Sequence, residues 1–290
     1  MVVCDCLFER VAARFLRDTP ELQSRLTQSQ SVREGKSNEA WRQAIEVWIL
    51  FFVLLVIING TVPFILGYDM HAWTASPMKV LLVGFVIYGG VSLVVPLLLI
   101  KGLNVVRKPA FLVPLIIAVV GVGVWNYLPY SASLALVSLA YLHRRFNLSE
   151  YGIKSKGWKG DVTAILILGL VEGLVVFLQP GPLSISLGSG VTAGVYRLFA
   201  NPASTVEYFF YFGFVTERLS TKTSRFLTAP LIGAMYTMHE VSNPEYWYNG
   251  TSFGIEFVGM TLIAILYLWR RNVIPIWLGD GLGKFLSGAF

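Results

Sequence analysis

An all-α fold is the expectation for this chain: a polytopic transmembrane helix bundle of about eight spans, seven to nine, behind a polar N-terminal tail. Three observations lead to it. Of the 290 residues 55% are hydrophobic and only 14% charged, with a mean hydropathy of +0.63, which lies outside the range of soluble domains. The apolar residues fall in long unbroken runs, and in lipid such runs satisfy their backbone groups as helices. The basic residues fall between the runs, on alternate sides.

Taken in order, residues 1–45 form a polar tail with an amphipathic stretch, Leu7 to Leu26, in which Leu7, Val11, Phe15, Leu22 and Leu26 recur at roughly helical spacing. The polar run Gln23 to Asn38 reads as a linker. Nine apolar segments follow, at 46–67, 78–100, 109–128, 130–143, 161–179, 203–219, 226–240, 253–269 and 273–288. Pro129 reads as a turn, because an unbroken 35-residue helix would be about 52 Å long, against a hydrocarbon core of about 30 Å. The last segment is short enough to be re-entrant. Pro180 to Ala200, rich in Gly, Ser and Thr, reads as an outer loop or interfacial helix. The division is a tail (1–45), N-terminal helices (46–143) and a core (144–290).

The positive-inside rule orients the chain. With the N-terminus cytoplasmic, the tail and the loops at Lys101–Lys108, Arg144–Lys159, Arg218–Arg225 and Arg270-Arg271 collect 20 of the 23 basic residues, leaving Lys79, Arg197 and Lys284. The net charge of +6 is therefore topological, and no nucleic-acid partner is expected. Cys4 and Cys6, both in the tail, imply no disulfide framework and at most a site of acylation. The tail has no short apolar core of the signal-peptide type, so insertion is expected through the first span.

The stretch Asn201 to Val241 places a carboxylate, Glu207, and an imidazole, His239, in consecutive apolar segments, where an ionisable group costs at least about 2.5 kcal/mol. The surrounding phrases resemble a known family. HRRFNLSEYGI, with its Leu-x-x-x-Gly-Ile, then VEYFFYFGFVTERL, then GAMYTMHE and finally NVIPIWLGDGLGKF are similar, in order and spacing, to the core of CAAX prenyl protease type II and its bacterial relatives, the CPBP or Abi intramembrane proteases. The resemblance covers about Leu142 to Phe290. Glu207 falls on the first-motif glutamate and Gly213-Phe214 on its trailing pair, while Tyr208 replaces the second glutamate and Phe212 the arginine. His239 falls on the second-motif histidine, with Met235 at the usual phenylalanine. Gly279 or Asp280 stands at the closing histidine, and Gly283 or Lys284 at the closing asparagine.

That resemblance implies that Glu207 activates a water for attack on a peptide carbonyl, that His239 assists, and that the substrate is a membrane-anchored or prenylated peptide. Lys284 is the candidate cation for the oxyanion. Read without it, Glu207 and His239 are equally an interhelical hydrogen bond. Glu172 and Glu256 read as auxiliary groups facing the bundle, and Asp280 with Lys284 as an i, i+4 ion pair. No cofactor or metal is implied, since Glu240 points about 100° away from His239 on a helix. Three functions remain open: the endopeptidase, an inactive relative that binds a peptide, lipid or membrane protein, and a small transporter or complex subunit. In this topology the pair lies toward the face opposite the basic loops.

Overall fold

The computed structural model describes residues 20–69, 72–73, 76–128, 130–154, 157–178, 192, 194–196, 198–199, 206–241 and 250–287, and every regular element among them is helical. Helix α1 (Pro20–Val56) continues through a π-helical turn (Ile57–Thr61) into α2 (Val62–Leu66). Helix α3 (Pro77–Leu82), capped by the Ser76 hydroxyl on the Met78 amide, runs through a π-helix (Val83–Val94) into α4 (Val95–Lys101). Then come α5 (Pro109–Gly123), α6 (Ser133–Phe146) and α7 (Trp158–Leu178). A third π-helix (Phe209–Val215) leads into α8 (Thr216–Leu219), followed by α9 (Arg225–Val241), α10 (Gly250–Arg270) and α11 (Val273–Ser287).

Among the described residues each of the nine apolar runs falls on one of these rods, and the expected break after the third run corresponds to the non-helical residues between α5 and α6; Pro129 itself lies outside the described residues. Among the described residues, three stretches are long and apolar enough to cross a membrane: Glu34–Leu66, Pro77–Lys101 and Phe253–Arg270. Pro109–Gly123 and Val273–Gly283 are apolar but shorter. Large apolar side chains such as Val113, Val137, Leu170 and Val258 stand exposed on the helices, as a lipid-facing surface requires.

One expectation is corrected. The run Gln23 to Asn38 is not a linker but part of α1. Its Gln, Glu, Arg, Lys and Leu residues favour helix, it has no proline and its single glycine, Gly35, is not enough to break it. Cys4, Cys6 and most of the amphipathic stretch lie outside the described residues, as does most of Pro180 to Ala200, where residues 192, 194–196 and 198–199 are helical.

The basic loops gather at one end of the bundle. Lys101 Nζ donates to the Asn147 carbonyl at 2.7 Å. Glu217 accepts from Lys154 at 2.6 Å, from the Tyr267 hydroxyl at 2.8 Å and from Arg271 at 3.3 Å. Asp161 holds Arg270 at 2.9 Å, and Asn272 Nδ2 donates to it at 3.3 Å. Helix α1 joins the same end through Ser37 and Thr221, each hydroxyl donating to the other's carbonyl at 3.1 and 3.3 Å, and through Gln43, which accepts from Arg218 at 3.4 Å.

A glycine contact sets how close the helices come. Gly152, with φ +78°, lies against Gly213, and a Cβ on either would meet the other's strand of backbone; the Gly152 carbonyl also accepts from the Val273 amide at 2.9 Å. Beside it the buried Tyr151 hydroxyl donates to the Ser92 carbonyl at 2.6 Å, and burial pushes its phenol well up from the ordinary value. The Leu-x-x-x-Gly-Ile phrase and the Gly-Phe pair, 61 residues apart between Gly152 and Gly213 in the sequence, thus meet in space.

Candidate functional site

The residues Phe209 to Val215 are all buried, so this rod is enclosed on every side rather than on one stripe. It is wound with the wider π pitch: the Thr216 backbone amide donates to the carbonyl of Tyr211, five residues back, and the Thr216 hydroxyl donates to the same oxygen at 2.7 Å. A π turn re-aims the side chains that a regular helix would send elsewhere, and such turns recur at functional sites. Here Glu207 and Tyr211 come to face α9.

Helix α9 presents Tyr236 and His239, three residues apart and so on one face. The His239 Nε2 lies 3.6 Å from Glu207 Oε1, and the Tyr236 hydroxyl donates to Glu207 Oε2 at 3.2 Å. Glu207 is 2% exposed. At 3.6 Å the pair is longer than a direct hydrogen bond. A water touching both atoms at about 2.8 Å would sit beside the line joining them, with an angle of about 80° at its oxygen. The carboxylate is therefore asymmetric: one oxygen is held by a phenol, the other faces the imidazole.

Three aromatic rings surround that imidazole. Phe51 of α1 meets it edge-on at 5.2 Å between centroids, Tyr236 lies at 5.4 Å, and Tyr211 stacks at 6.2 Å. Phe51 also stacks on Phe210 at 5.0 Å, and Tyr211 packs on Tyr236 at 4.9 Å. The buried Tyr211 hydroxyl also faces the indole N–H of Trp48 on α1.

The structure brings together Glu207 and His239, as the spacing of the motifs suggests, and adds Tyr236, Tyr211 and Phe51, which the sequence reading missed. Tyr236 was legible: it lies within GAMYTMHE, one turn before His239. Tyr211 was legible only if the π turn was foreseen, and Phe51 carried no signal, since it comes from α1.

The other candidates are distributed differently. Tyr208 is buried and packs on Phe212, centroids 5.3 Å apart, and Phe212 lies against Tyr267 at 6.4 Å. Glu256, half-buried on α10, and Glu240, next to His239, are close enough to Tyr236 to act on it through space. Asp280 is buried, 2% exposed, on α11, whose principal neighbour is α7 rather than α9. Glu172 and Lys284 lie on these same two helices, α7 and α11, and their side chains lie outside the described ones.

The pair is remote from the basic end. His239 is 14 residues along α9 from Arg225, about 21 Å at 1.5 Å per residue. No protein-family model, no curated protein and no solved structure matches the chain.

Proposed function

We propose that this chain is an intramembrane endopeptidase of the CAAX prenyl protease type II kind. It has about eight spans and a cytoplasmic N-terminus, and it acts on a peptide held at the membrane by a prenyl chain or its own anchor. The observation that carries the reading is the 3.6 Å approach of Glu207 and His239, two ionisable groups from separate rods, inside an apolar bundle. In this scheme Glu207 takes a proton from a water, the water oxygen bonds to the scissile carbonyl carbon, and the carbon–nitrogen bond breaks as the proton passes to the departing amine. His239 holds the water in line, and the Tyr236 hydroxyl on Oε2 keeps Oε1 turned to the reaction. Lys284 is the candidate cation for the developing oxyanion, in a sequence that lacks the histidine and asparagine of the resemblance.

A second reading, a relative that keeps the fold and binds a peptide, lipid or membrane protein without cutting it, is favoured by the ring of Phe51, Tyr211 and Tyr236 around the imidazole and by the deep burial of the carboxylate.

The test is cleavage of a farnesylated, membrane-bound reporter peptide by the purified protein in liposomes, with binding of the same peptide measured in parallel. Cleavage that falls at least about 100-fold in Glu207→Gln, the usual scale for a general base, supports the peptidase. Binding without cleavage, unchanged in Glu207→Gln, establishes the second reading instead.

A further inference from the structure

The basic end of the bundle has more cations than it uses. Its carboxylates are committed: the largely enclosed Glu217 to Lys154 and Arg271 and Asp161 to Arg270, and the exposed Glu150 to Arg218 at 3.9 Å. The α1 arm partly balances itself, with Arg42 on Glu46 at 3.3 Å. Arg107, Lys108, Arg144, Arg145, Lys159 and Arg225 are all exposed. Among the described residues none of these six has a carboxylate within ion-pair distance. They lie on one loop (Arg107, Lys108), in the last turn of α6 (Arg144, Arg145) and at the starts of α7 and α9 (Lys159, Arg225), drawn to one end by the contacts already described.

Large apolar side chains stand out beside these cations. Phe226, next to Arg225, is 95% exposed; Leu103, in the turn that ends at Arg107, is 75% exposed; Trp158, whose ring lies 6.0 Å from Lys159 Nζ, is 70% exposed. A surface bathed in water gains nothing from this pairing. A headgroup layer suits it, because phosphates lie at the level of the cations and the upper acyl chains at the level of the rings. Anionic lipids attract juxtamembrane Lys and Arg residues in just this way, and the attraction needs no specific pocket.

We propose that this end is a docking surface for anionic phospholipid, in which Arg107, Lys108, Lys159 and Arg225 contact lipid phosphates while Leu103, Trp158 and Phe226 enter the acyl region. The surface is separate from the Glu207–His239 pair and stands or falls independently of any peptidase activity.

The experiment is native mass spectrometry of the full chain with lipid of stated kind, phosphatidylglycerol against phosphatidylcholine of matched acyl chains. Wild type is expected to retain phosphatidylglycerol over phosphatidylcholine by about fivefold or more. The two double variants, Arg107→Gln with Lys108→Gln and Lys159→Gln with Arg225→Gln, are each expected to lower that preference, and to leave the helical circular dichroism unchanged because the four side chains are exposed. As a second readout, quenching by lipid brominated near the headgroup is expected to be weaker in Trp158→Phe, measured against wild type. Equal retention of the two lipids by wild type overturns the proposal. So does a preference that survives both double variants, or one reproduced by inorganic phosphate competing at millimolar concentration, which would mean an anion site rather than a lipid surface.

Discussion

Removing the Tyr236 hydroxyl alone separates its role from that of the imidazole. Tyr236→Phe keeps the ring that packs on Tyr211 and His239 and deletes the donor to Glu207 Oε2. A hydrogen bond to a carboxylate in such a place is worth about 1.5–3 kcal/mol, so the variant is expected to unfold earlier on heating in detergent by a margin of that order. A melting curve that superimposes on wild type would show that the hydroxyl holds nothing. Glu207 and His239 are expected to be coupled as well: the stabilities of Glu207→Gln, His239→Ala and the double variant should depart from additivity by about 0.5–3 kcal/mol. Additive losses would mean that the 3.6 Å contact carries no energy. Both residues were legible from the sequence, because an ionisable group in an apolar run stands out against its surroundings. The rings around them were not, because nothing in an apolar run marks which aromatic side chain faces an imidazole.

The junction of Gly152 and Gly213 governs how the rod carrying Glu207 sits against its neighbours. A Cβ at Gly213 would run into the Tyr151 carbonyl, and one at Gly152 into the Gly213 backbone; backbone cannot swing aside as a side-chain tip can. Gly213→Ala is expected to cost about 1–3 kcal/mol, the usual price of overpacking, whereas Gly259→Ala, where a Cβ meets nothing within 4 Å, should be neutral or slightly stabilising in its helix. Thermal stability of the two variants in one detergent decides it, and equal behaviour would refute the close-packing argument. The place of each apolar helix was readable from apolar run length, while limits such as the start of α1 at Pro20, the end of α5 at Gly123 and the start of α6 at Ser133 were not. The π pitch at Phe209–Val215 was not readable. It is set by what the rod packs against, and a local sequence pattern with a period of 3.6 carries no information about that. The helix through Gln23 to Asn38 was missed because polar composition was taken for irregularity, although its residues individually favour helix.

For the molecule as a whole, the meeting of Lys101, Lys154, Arg218, Arg270 and Arg271 with partners at one end was legible in the way the basic residues fall between apolar runs. The ion pairs that lock this end, centred on Glu217 and Asp161, were not anticipated, because they join residues as much as 109 positions apart, as in Asp161 and Arg270. Glu217→Gln weakens three partners at once, Lys154, Tyr267 and Arg271, and is expected to lower stability by more than the loss of one exposed pair such as Arg42 with Glu46, whose worth is about 0–1 kcal/mol. The proposed topology makes a prediction about sidedness. Thr221 shares the end bound to Ser37, while Asp69 lies beyond the far end of α2. Single cysteines at positions 221 and 69 are therefore expected to react with a membrane-impermeant thiol reagent from opposite sides of sealed vesicles. Labelling from the same side would break the topology.

The most direct measurement is mass spectrometry of a farnesylated membrane-bound peptide incubated with the reconstituted protein in water enriched in oxygen-18. A water activated by Glu207 leaves the label in the new carboxyl group, so wild type should yield a product heavier by one labelled oxygen, and Glu207→Gln and His239→Ala should yield little or none. Intact peptide with wild type, or labelled product undiminished in Glu207→Gln, would contradict the assignment of the pair as a hydrolytic centre.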